Sequence, residues 1–278
     1  MIKEITYYTS LFYMFESYMA LFNVIFKWFI YYNYNKFTHY TSRRKINMQG
    51  KFIVFEGPDG AGKTTVVNHV GRALKCSGIP TVVTREPGGI EVAEKIRNIV
   101  KSYKLDNRQQ TMLFMASMSI NIQNVIKPLL NDGMLVLCDR YLRSTYVYQV
   151  YEDKSDIFNR LIDWACEGLL PDMEIVLDVD PDIALERNHK RDESPDAIES
   201  NGAEFLRMIN NRYVDSFQNV PGWDYPQYKI ITDNLDIADI VCYSIEYILS
   251  FLGYSMPRSV AYDTTKRYED TINGKWYI

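Results

Sequence analysis

The stretch that decides the fold reads VFEGPDGAGKTTVV and covers residues 54–67. It contains the complete Walker A pattern, Gly-x-x-x-x-Gly-Lys-Thr from Gly57 onward, between an apolar run and an amphipathic helical pattern. Such a loop binds phosphates because its glycines let backbone N–H groups turn toward the anion, and because a helix begins at the same point. We therefore expect a nucleoside triphosphate to bind here. The expected binding residues are Gly57, Gly60, Ala61, Gly62, Lys63, Thr64 and Thr65.

Side chains in and after this loop predict contacts to phosphates and to a metal ion. We expect Lys63 to reach the β- and γ-phosphates and the Thr64 hydroxyl to help hold Mg²⁺. Asp139 ends the apolar run LVLCD, where a carboxylate suits Mg²⁺ or its water ligands. The adjacent Arg140 suits a second phosphate. Taken without the Walker A loop, Asp139 and Arg140 are equally well explained as a structural ion pair.

From residue 51 onward, short apolar runs alternate with longer helical patterns. The runs that predict strands are FIVF, TVVT, MLVLCD, EIVLDV and KIIT. The stretches that predict helices are 63–77, 90–102, 108–131, 155–169, 202–218 and 236–252. Strands that alternate with helices form a parallel sheet covered on both faces. We therefore expect an α/β protein with the three-layer P-loop NTPase fold, built on a central five-stranded parallel sheet with helices on both faces.

Residues 1–47 differ in composition from the rest of the chain. The segment LFYMFESYMALFNVIFKWFIYY is long enough to span a bilayer. However, Glu16, Asn23 and Lys27 interrupt it, and each is costly at membrane depth. Three interpretations remain open: a membrane or interfacial anchor, a helical extension packed on the body, or an upstream reading that the working protein lacks. In the last case the protein begins at Met48.

The overall composition is that of a globular protein with a substantial core. The chain has 278 residues, 47% of them hydrophobic, and a net charge of −4. Because no basic block is present, we expect local phosphate binding and no nucleic-acid partner. The four cysteines show no metal-site spacing and favour reduced thiols in a cytoplasmic protein. The expected divisions are 1–47, a P-loop domain over 48–252 and a surface tail over 253–278.

Two further features point to the molecule that accepts the phosphate. The segment TREPGG, residues 84–89, follows the second predicted strand. In it, Arg85 offers a fork of donors for a phosphate, and Pro87 with two glycines makes a rigid bend. Asp59 lies inside the phosphate loop, where a carboxylate repels an anionic ligand unless it faces another group such as a sugar hydroxyl.

Four segments together resemble one family. FEGPDGAGKTT, TREPGG, DRYLRSTYVYQ and PDMEIVLDV occur in the order and spacing of thymidylate kinases, and the resemblance covers residues 51–252. It implies a P-loop nucleoside-monophosphate kinase that uses Mg²⁺ to transfer phosphate from ATP to thymidine monophosphate (dTMP), usually as a homodimer. Gly60, where some members carry an arginine, resembles the bacterial type.

The resemblance also implies roles for individual side chains. Asp59 matches the carboxylate that bonds the 3′-hydroxyl of the acceptor, and Arg140 matches the arginine on the acceptor phosphate. Phe114 matches the phenylalanine that stacks on the base. The remaining acceptor-site residues by this match are Arg85, Pro87, Ser144, Thr145, Tyr148 and Gln149. From the sequence alone, without the resemblance, core packing is the favoured explanation of Phe114 and Tyr148.

The charged run over residues 185–200 matches the mobile lid of the family. In the bacterial type this lid brings basic side chains onto the transferring phosphates. Arg187, Lys190 and Arg191 are the candidates here, so the expected catalytic set is Lys63, Arg140, Asp59, Arg191 and Arg187. The alternative is a solvated surface loop.

Two positions depart from the family pattern. At Met118, one helical turn after Phe114, the family has an arginine that donates to the exocyclic oxygen of the base. In the lid, Ala197 stands where the bacterial type often has arginine. The loss at Met118 leaves open a kinase for another or modified pyrimidine as an alternative to a dTMP kinase. The apolar N-terminal segment leaves open a second alternative, a membrane-tethered P-loop NTPase.

Overall fold

The computed structural model describes residues 49–152, 156–189 and 202–254. Its sheet contains β1 (Lys51–Glu56), β2 (Thr81–Arg85), β3 (Leu135–Asp139), β4 (Met173–Asp178) and β5 (Gln227–Ile231). The strands lie in the order β2-β3-β1-β4-β5, and every neighbouring pair is parallel. Among the described residues, this confirms the predicted five-stranded parallel sheet.

Helices connect and flank these strands. They are α1 (Lys63–Cys76), α2 (Glu91–Ser102), α3 (Asn107–Asn121), α4 (Lys127–Asn131), α5 (Leu142–Thr145), α6 (Ile157–Ala165), α7 (Pro181–His189), α8 (Gly202–Ser216) and α9 (Ile237–Phe251). A π-helical turn over Ile122–Ile126 joins α3 to α4, and a second one, Tyr146–Val150, follows α5. The six stretches predicted as helical each contain one or more of these helices.

The central strands are buried on both faces, as parallel strands covered by helices must be. All residues of β3 are buried, and so are the residues from Phe52 to Glu56 in β1. In the parallel register, Asp139 at the end of β3 is the partner of both Phe55 in β1 and Arg85 in β2. The loops that leave these three strands therefore start side by side at one edge of the sheet.

Helix α3 starts at a well-defined cap. The side chain of Asp106 accepts from the backbone N–H of Gln109, and the Gln109 side chain accepts from the backbone N–H of Asp106. This capping box satisfies two backbone donors that the first turn leaves open. The helix then buries Phe114 and Met118 on one side, one turn apart, and Asn121 lies at its end.

Several expectations fall on residues that the structure does not describe. Residues 1–47, most of the lid and nearly all of the tail are outside the described ranges. Within those ranges, no helix combines the length and apolar character needed to cross a membrane. The four cysteines, Cys76, Cys138, Cys166 and Cys242, are free thiols.

Candidate active site

A cavity of about 660 Å³ opens where the loops after β1, β2 and β3 meet helices α2 and α3. Its lining joins residues of the phosphate loop to residues of TREPGG, of α3 and of the segment after β3. Among the predicted site residues, those that line it are Asp59, Gly60, Gly62, Lys63, Thr64, Thr65, Arg85, Pro87, Phe114, Met118, Asp139, Arg140, Ser144, Thr145, Tyr148 and Gln149. The fold thus brings together most of the residues that the sequence predicted, from segments far apart in the chain.

The phosphate loop requires glycine at two positions because other backbone segments lie close to it. A Cβ atom on Gly57 would lie 2.2 Å from the carbonyl oxygen of Leu177, and Gly57 has φ +141°. A Cβ atom on Gly60 would lie 2.6 Å from the carbonyl oxygen of Ala184, at φ +87°. An arginine at residue 60, as some family members carry, does not fit this backbone without a shift.

Lys63 is the buried cation of the loop. Its Nζ donates to the carbonyl oxygen of Pro58 at 2.6 Å, and the residue is 5% exposed. Burial, and next the charge of Arg140, lower its pKa to about 8, against the opposing effect of the Asp59 and Asp139 carboxylates. An anion bound beside Lys63 therefore stabilises its charged form, as a phosphate in this loop would.

The metal-binding prediction rests on Thr64 and Asp139. The Thr64 hydroxyl donates to Asp139 Oδ2 at 2.5 Å. The other oxygen, Asp139 Oδ1, is buried and has no hydrogen-bond partner among the described residues. A hydroxyl and a carboxylate with an open oxygen fit Mg²⁺, which binds through one or two protein carboxylates together with substrate phosphates and water.

Asp59 is paired in the structure, which explains how a carboxylate is tolerated in a phosphate loop. Arg140 Nη2 forms an ion pair with Asp59 Oδ1, and the Tyr148 hydroxyl donates to Asp59 Oδ2 at 2.8 Å. Although burial alone lowers the pKa of Arg140, the Asp59 carboxylate raises it well above its ordinary value. Arg140 also donates to the Gly57 carbonyl at 3.2 Å and to Ser144 Oγ at 3.0 Å, so its guanidinium is held on three sides.

Glu56 lies behind this arginine and was not predicted as a functional residue. Its carboxylate accepts from the Tyr141 backbone at 2.7 Å and from Ser144 Oγ at 2.6 Å. It also accepts from the Tyr213 hydroxyl at 3.1 Å, and that hydroxyl lies 3.4 Å from Arg140 Nη1. The available signal was a carboxylate at the end of an apolar strand, immediately before the loop. Glu56 therefore fixes the segment that carries Arg140.

TREPGG packs against α2 in a way that the sequence did not predict. The fork of Arg85 is engaged by Glu94 through contacts of 2.8 to 2.9 Å, although Arg85 still lines the cavity. Arg97, one helical turn after Glu94, also lines the cavity and donates to the Pro87 carbonyl at 3.2 Å. Its signal was a basic side chain within the predicted helix that follows TREPGG. Two arginines, not one, therefore reach the cavity from this side.

The wall formed with α3 contains a buried acid. Glu86 is 2% exposed and accepts from Ser117 Oγ at 2.9 Å and from Asn121 Nδ2 at 2.7 Å. Burial raises its pKa to about 8, against the effect of these hydrogen bonds. Phe114 and Met118 line the same wall, with 8% and 2% of their surface exposed. This wall is therefore uncharged at neutral pH.

Comparison with known proteins bears directly on this site. The family model described as thymidylate kinase matches residues 55–225. A thymidylate kinase of Pelotomaculum thermopropionicum is 40% identical over 189 residues, which are 66% of this chain and 86% of that protein. A thymidylate kinase of Legionella pneumophila is 38% identical over 217 residues, 76% of this chain and 99% of that protein.

The chain belongs to the thymidylate kinase family. A crystal structure of thymidylate kinase from Ehrlichia chaffeensis matches with a TM-score of 0.57 and 26% identity. The match covers 72% of this chain and 98% of that chain. The resemblance drawn from the four motifs is confirmed, and so is the P-loop NTPase fold.

The thymidylate kinase fold here directs one predicted lid arginine away from the cavity. Arg187, on α7, donates to the Thr232 carbonyl at 2.8 Å and to Thr232 Oγ1 at 3.2 Å. It also contacts the Gly60 carbonyl at 3.5 Å and is not among the residues that line the described cavity. These bonds fasten the loop after β5 to the phosphate loop. Lys190 and Arg191 lie outside the described residues.

Proposed function

We propose that this member of the thymidylate kinase family transfers the γ-phosphoryl group of ATP to dTMP and so produces thymidine diphosphate. The observation that carries the proposal is one cavity with two sets of residues. A complete Walker A loop lines one part of it, and an arginine–aspartate–tyrosine cluster and a buried phenylalanine line another. The chain is thus a nucleoside-monophosphate kinase. A kinase for another pyrimidine and a membrane-tethered NTPase are not favoured.

The proposed donor site is the phosphate loop. Backbone N–H groups and Lys63 hold the phosphates of ATP, and Lys63 is fully charged once an anion lies beside it. Thr64 and Asp139 are the residues that would hold Mg²⁺. When bound there, the cation would supply positive charge that offsets the charge of the phosphates. Asp139 is suited to it because one of its buried oxygens lacks a partner among the described residues.

The proposed acceptor site uses charge for the phosphate and stacking for the base. Arg140, with Arg85 and Arg97 nearby, neutralises the acceptor phosphate, and Phe114 stacks on the thymine ring. Asp59 receives the 3′-hydroxyl of the sugar. The nucleophile is an oxygen of the acceptor phosphate, which is already ionised at neutral pH, so no strong general base is needed.

Three further parts of the proposal concern the lid, the assembly and the location. Arg191 is proposed to reach the transferring phosphate from the lid, and Arg187 to support that side by holding the loop after β5. A homodimer is supported by apolar side chains that are 40–60% exposed on the paired helices α2 and α3, Val92, Ile99 and Met112. Free thiols fit a reducing cytoplasmic location.

The test is a coupled assay of ADP formation with ATP and Mg²⁺. The acceptors are the monophosphates of thymidine, deoxyuridine, deoxycytidine, deoxyguanosine and uridine, with a control that lacks any acceptor. The expected result is turnover chiefly with dTMP. ADP formation that needs no acceptor, or turnover chiefly with another base, contradicts the proposal.

A further inference from the structure

Two glutamine side chains form a chain of hydrogen bonds at the α3 wall. Gln110 Nε2 donates to the carbonyl oxygen of Leu105 at 2.9 Å. Gln149 Nε2 donates to Gln110 Oε1 at 2.9 Å. Gln149 lines the cavity, as do Phe114 and Met118. The pair thus links a backbone carbonyl outside the cavity to a side chain in its wall.

The backbone carbonyl determines which way both amides point. A carbonyl oxygen only accepts hydrogen bonds, so Gln110 turns its NH₂ group toward Leu105 and its oxygen toward Gln149. Since that oxygen also only accepts, Gln149 turns its own NH₂ group toward Gln110. The orientation of an amide is ordinarily assigned from its hydrogen-bond network. Here the network allows one orientation for each side chain.

The remaining oxygen of Gln149 is a buried acceptor in need of a donor. Gln149 is 8% exposed, and its Oε1 has no hydrogen-bond partner among the described residues. A buried acceptor without a partner is costly, so such an atom beside a cavity indicates that a bound molecule supplies the donor. Met118 in the same wall carries no hydrogen-bond donor. In this wall Gln149 therefore offers a hydrogen-bonding atom that a base could meet.

We propose that Gln110 is a positioning residue for base selection, because it holds Gln149 with its acceptor oxygen available to the base. Thymine and uracil carry an N–H donor at N3, whereas cytosine carries an acceptor there. The fixed amide therefore accepts a bond from dTMP and opposes the ring edge of deoxycytidine monophosphate (dCMP). This inference rests on the proposed function for the identity of the bound nucleotides.

The experiment compares two substitutions of Gln110. Gln110→Met removes the acceptor that orients Gln149, so the released amide can turn its NH₂ group to the base. Gln110→Glu keeps an acceptor for Gln149, because a carboxylate carries oxygens only, while it gives up the bond to the Leu105 carbonyl. Gln123→Met is the matched control, since Gln123 is bonded to Glu167 and does not line the cavity. Far-ultraviolet circular dichroism and melting temperature show whether each variant is folded.

The readout is the ratio of kcat/KM for dTMP to kcat/KM for dCMP, together with the Kd of each nucleotide by calorimetry. Gln110→Met is expected to lower the preference for dTMP over dCMP roughly tenfold, both in kcat/KM and in Kd, which is the effect of about one hydrogen bond. Its kcat for dTMP is expected to change little. Gln110→Glu and Gln123→Met are expected to keep the preference of the wild-type protein. A loss of preference in Gln110→Met alone shows that the orientation of the Gln149 amide matters. A general loss of packing would not distinguish the variants in this way.

Three outcomes overturn the inference: Gln110→Met keeps the preference, Gln110→Glu loses it equally, or the wild-type protein binds dTMP no better than dCMP. Failure of the proposed function is a separate result. If the wild-type protein transfers no phosphate but binds dTMP over dCMP, and Gln110→Met removes that preference, the positioning role stands and the kinase assignment fails.

Discussion

The cavity has two walls with opposite electrostatic character. The loop wall, formed by Asp59, Lys63, Thr64, Asp139 and Arg140, is dense in charge. The α3 wall consists of the cavity side chains that lie on α3 or bond to it, which are Phe114, Met118, Glu86 and Gln149. It carries apolar groups, amides and a carboxyl group with a pKa raised by burial to about 8. Charge is thus concentrated where phosphates are proposed to bind and is absent at neutral pH from the other wall.

The two walls also differ in how they are held. The loop wall is fixed by nearby backbone, because the ends of β1, β2 and β3 lie in register and the phosphate loop packs against β4 and α7. The α3 wall is fixed by side chains that reach across elements, such as Glu86 to Asn121 and Gln149 to Gln110. The loop wall therefore follows from the topology, while the α3 wall depends on individual side-chain pairs.

The largest effect is expected from removing the central cation of the loop wall. Arg140→Met leaves Asp59 without its ion-pair partner and leaves the acceptor phosphate without an oriented guanidinium. We expect kcat/KM for dTMP to fall by roughly 10²–10³-fold, the effect of losing one well-placed electrostatic group. Steady-state kinetics at saturating ATP measures it.

The matched control is Arg108→Met. Arg108 is exposed near the start of α3 and does not line the cavity, so this variant is expected to keep the wild-type kinetics. Binding of ATP to Arg140→Met, measured by calorimetry, is expected to stay near the wild-type value. A loss smaller than tenfold, or an equal loss of ATP affinity, contradicts the assignment of Arg140 to the acceptor.

The neutral state of the α3 wall is tested through Glu86. Its pKa is raised from 4.5 to about 8 in the folded state, so the folded protein binds a proton more tightly than the unfolded chain. The stability from this group is fully present below about pH 4.5 and is lost as the pH rises through about 8. Glu86→Gln stays neutral throughout and is expected to flatten the profile in this window.

The measurement is the free energy of unfolding by urea at several pH values. The gain of Glu86→Gln over the wild-type protein is expected to grow with pH and to reach the order of a few kcal/mol near pH 8. An advantage that is constant with pH, or that shrinks as the pH rises, shows that Glu86 is ionised in the folded state and that the α3 wall is charged.

Adding a charge to the α3 wall tests whether its lack of charge affects the choice of base. Met118→Arg restores the donor that the family carries at this position. Since a hydrogen bond from a charged group contributes about 1.5–3 kcal/mol, we expect the preference among bases to change roughly tenfold or more. We expect the rate with the best base to change less. Met118 is 2% exposed and packs in the core, so a lower melting temperature is also expected.

The panel of nucleoside monophosphates measures this change in kcat/KM. Asn107→Arg is the matched control, because Asn107 lies on the same helix but is exposed and does not line the cavity. An equal loss with every base contradicts the expectation that an arginine introduced at residue 118 acts on the base.

The contrast between the walls explains what could be predicted from the sequence. The five parallel strands and the loop wall follow from local patterns, because the Walker A spacing and a carboxylate at a strand end determine where Lys63, Thr64 and Asp139 lie. The α3 wall could be predicted only as positions, such as Phe114 and Met118. Its hydrogen bonds depend on tertiary pairing, so the partners Asn121 and Gln110 had no local signal.

The same reasoning covers residues that were predicted in a different role or not at all. Arg85 has a donor fork suited to phosphate, but Glu94 is within reach one element later and binds it. Arg187 sits in the charged run assigned to the lid, but the helix points it toward Thr232. Arg97 was missed because a basic side chain on an exposed helix pattern is ordinarily solvated. The partner lies nine residues away for Arg85 and 45 residues away for Arg187, in a different element in both cases, so the local pattern did not reveal it.

The smallest expected effect concerns the charge of Lys63 in the loop wall. Because burial lowers its pKa to about 8 in the nucleotide-free protein, raising the pH removes its proton before ATP arrives. Bound phosphates favour the charged form, so ATP binding at high pH must take up a proton. We expect kcat/KM for ATP to fall roughly tenfold between about pH 7 and about pH 9, with a smaller change in kcat.

Lys63→Arg separates this titration from other pH effects. A guanidinium keeps its charge across the whole range, so the variant is expected to lose the pH dependence of kcat/KM for ATP whatever its absolute rate. A wild-type profile that is flat through pH 9, or a decline that Lys63→Arg shares, shows that Lys63 is not the titrating group. If Lys63→Arg removes the decline, the loop wall holds its charge only weakly without phosphate. The two walls would then also differ in how they depend on the nucleotide. The charge of the loop wall would need bound phosphate, whereas the neutral state of the α3 wall needs no bound nucleotide.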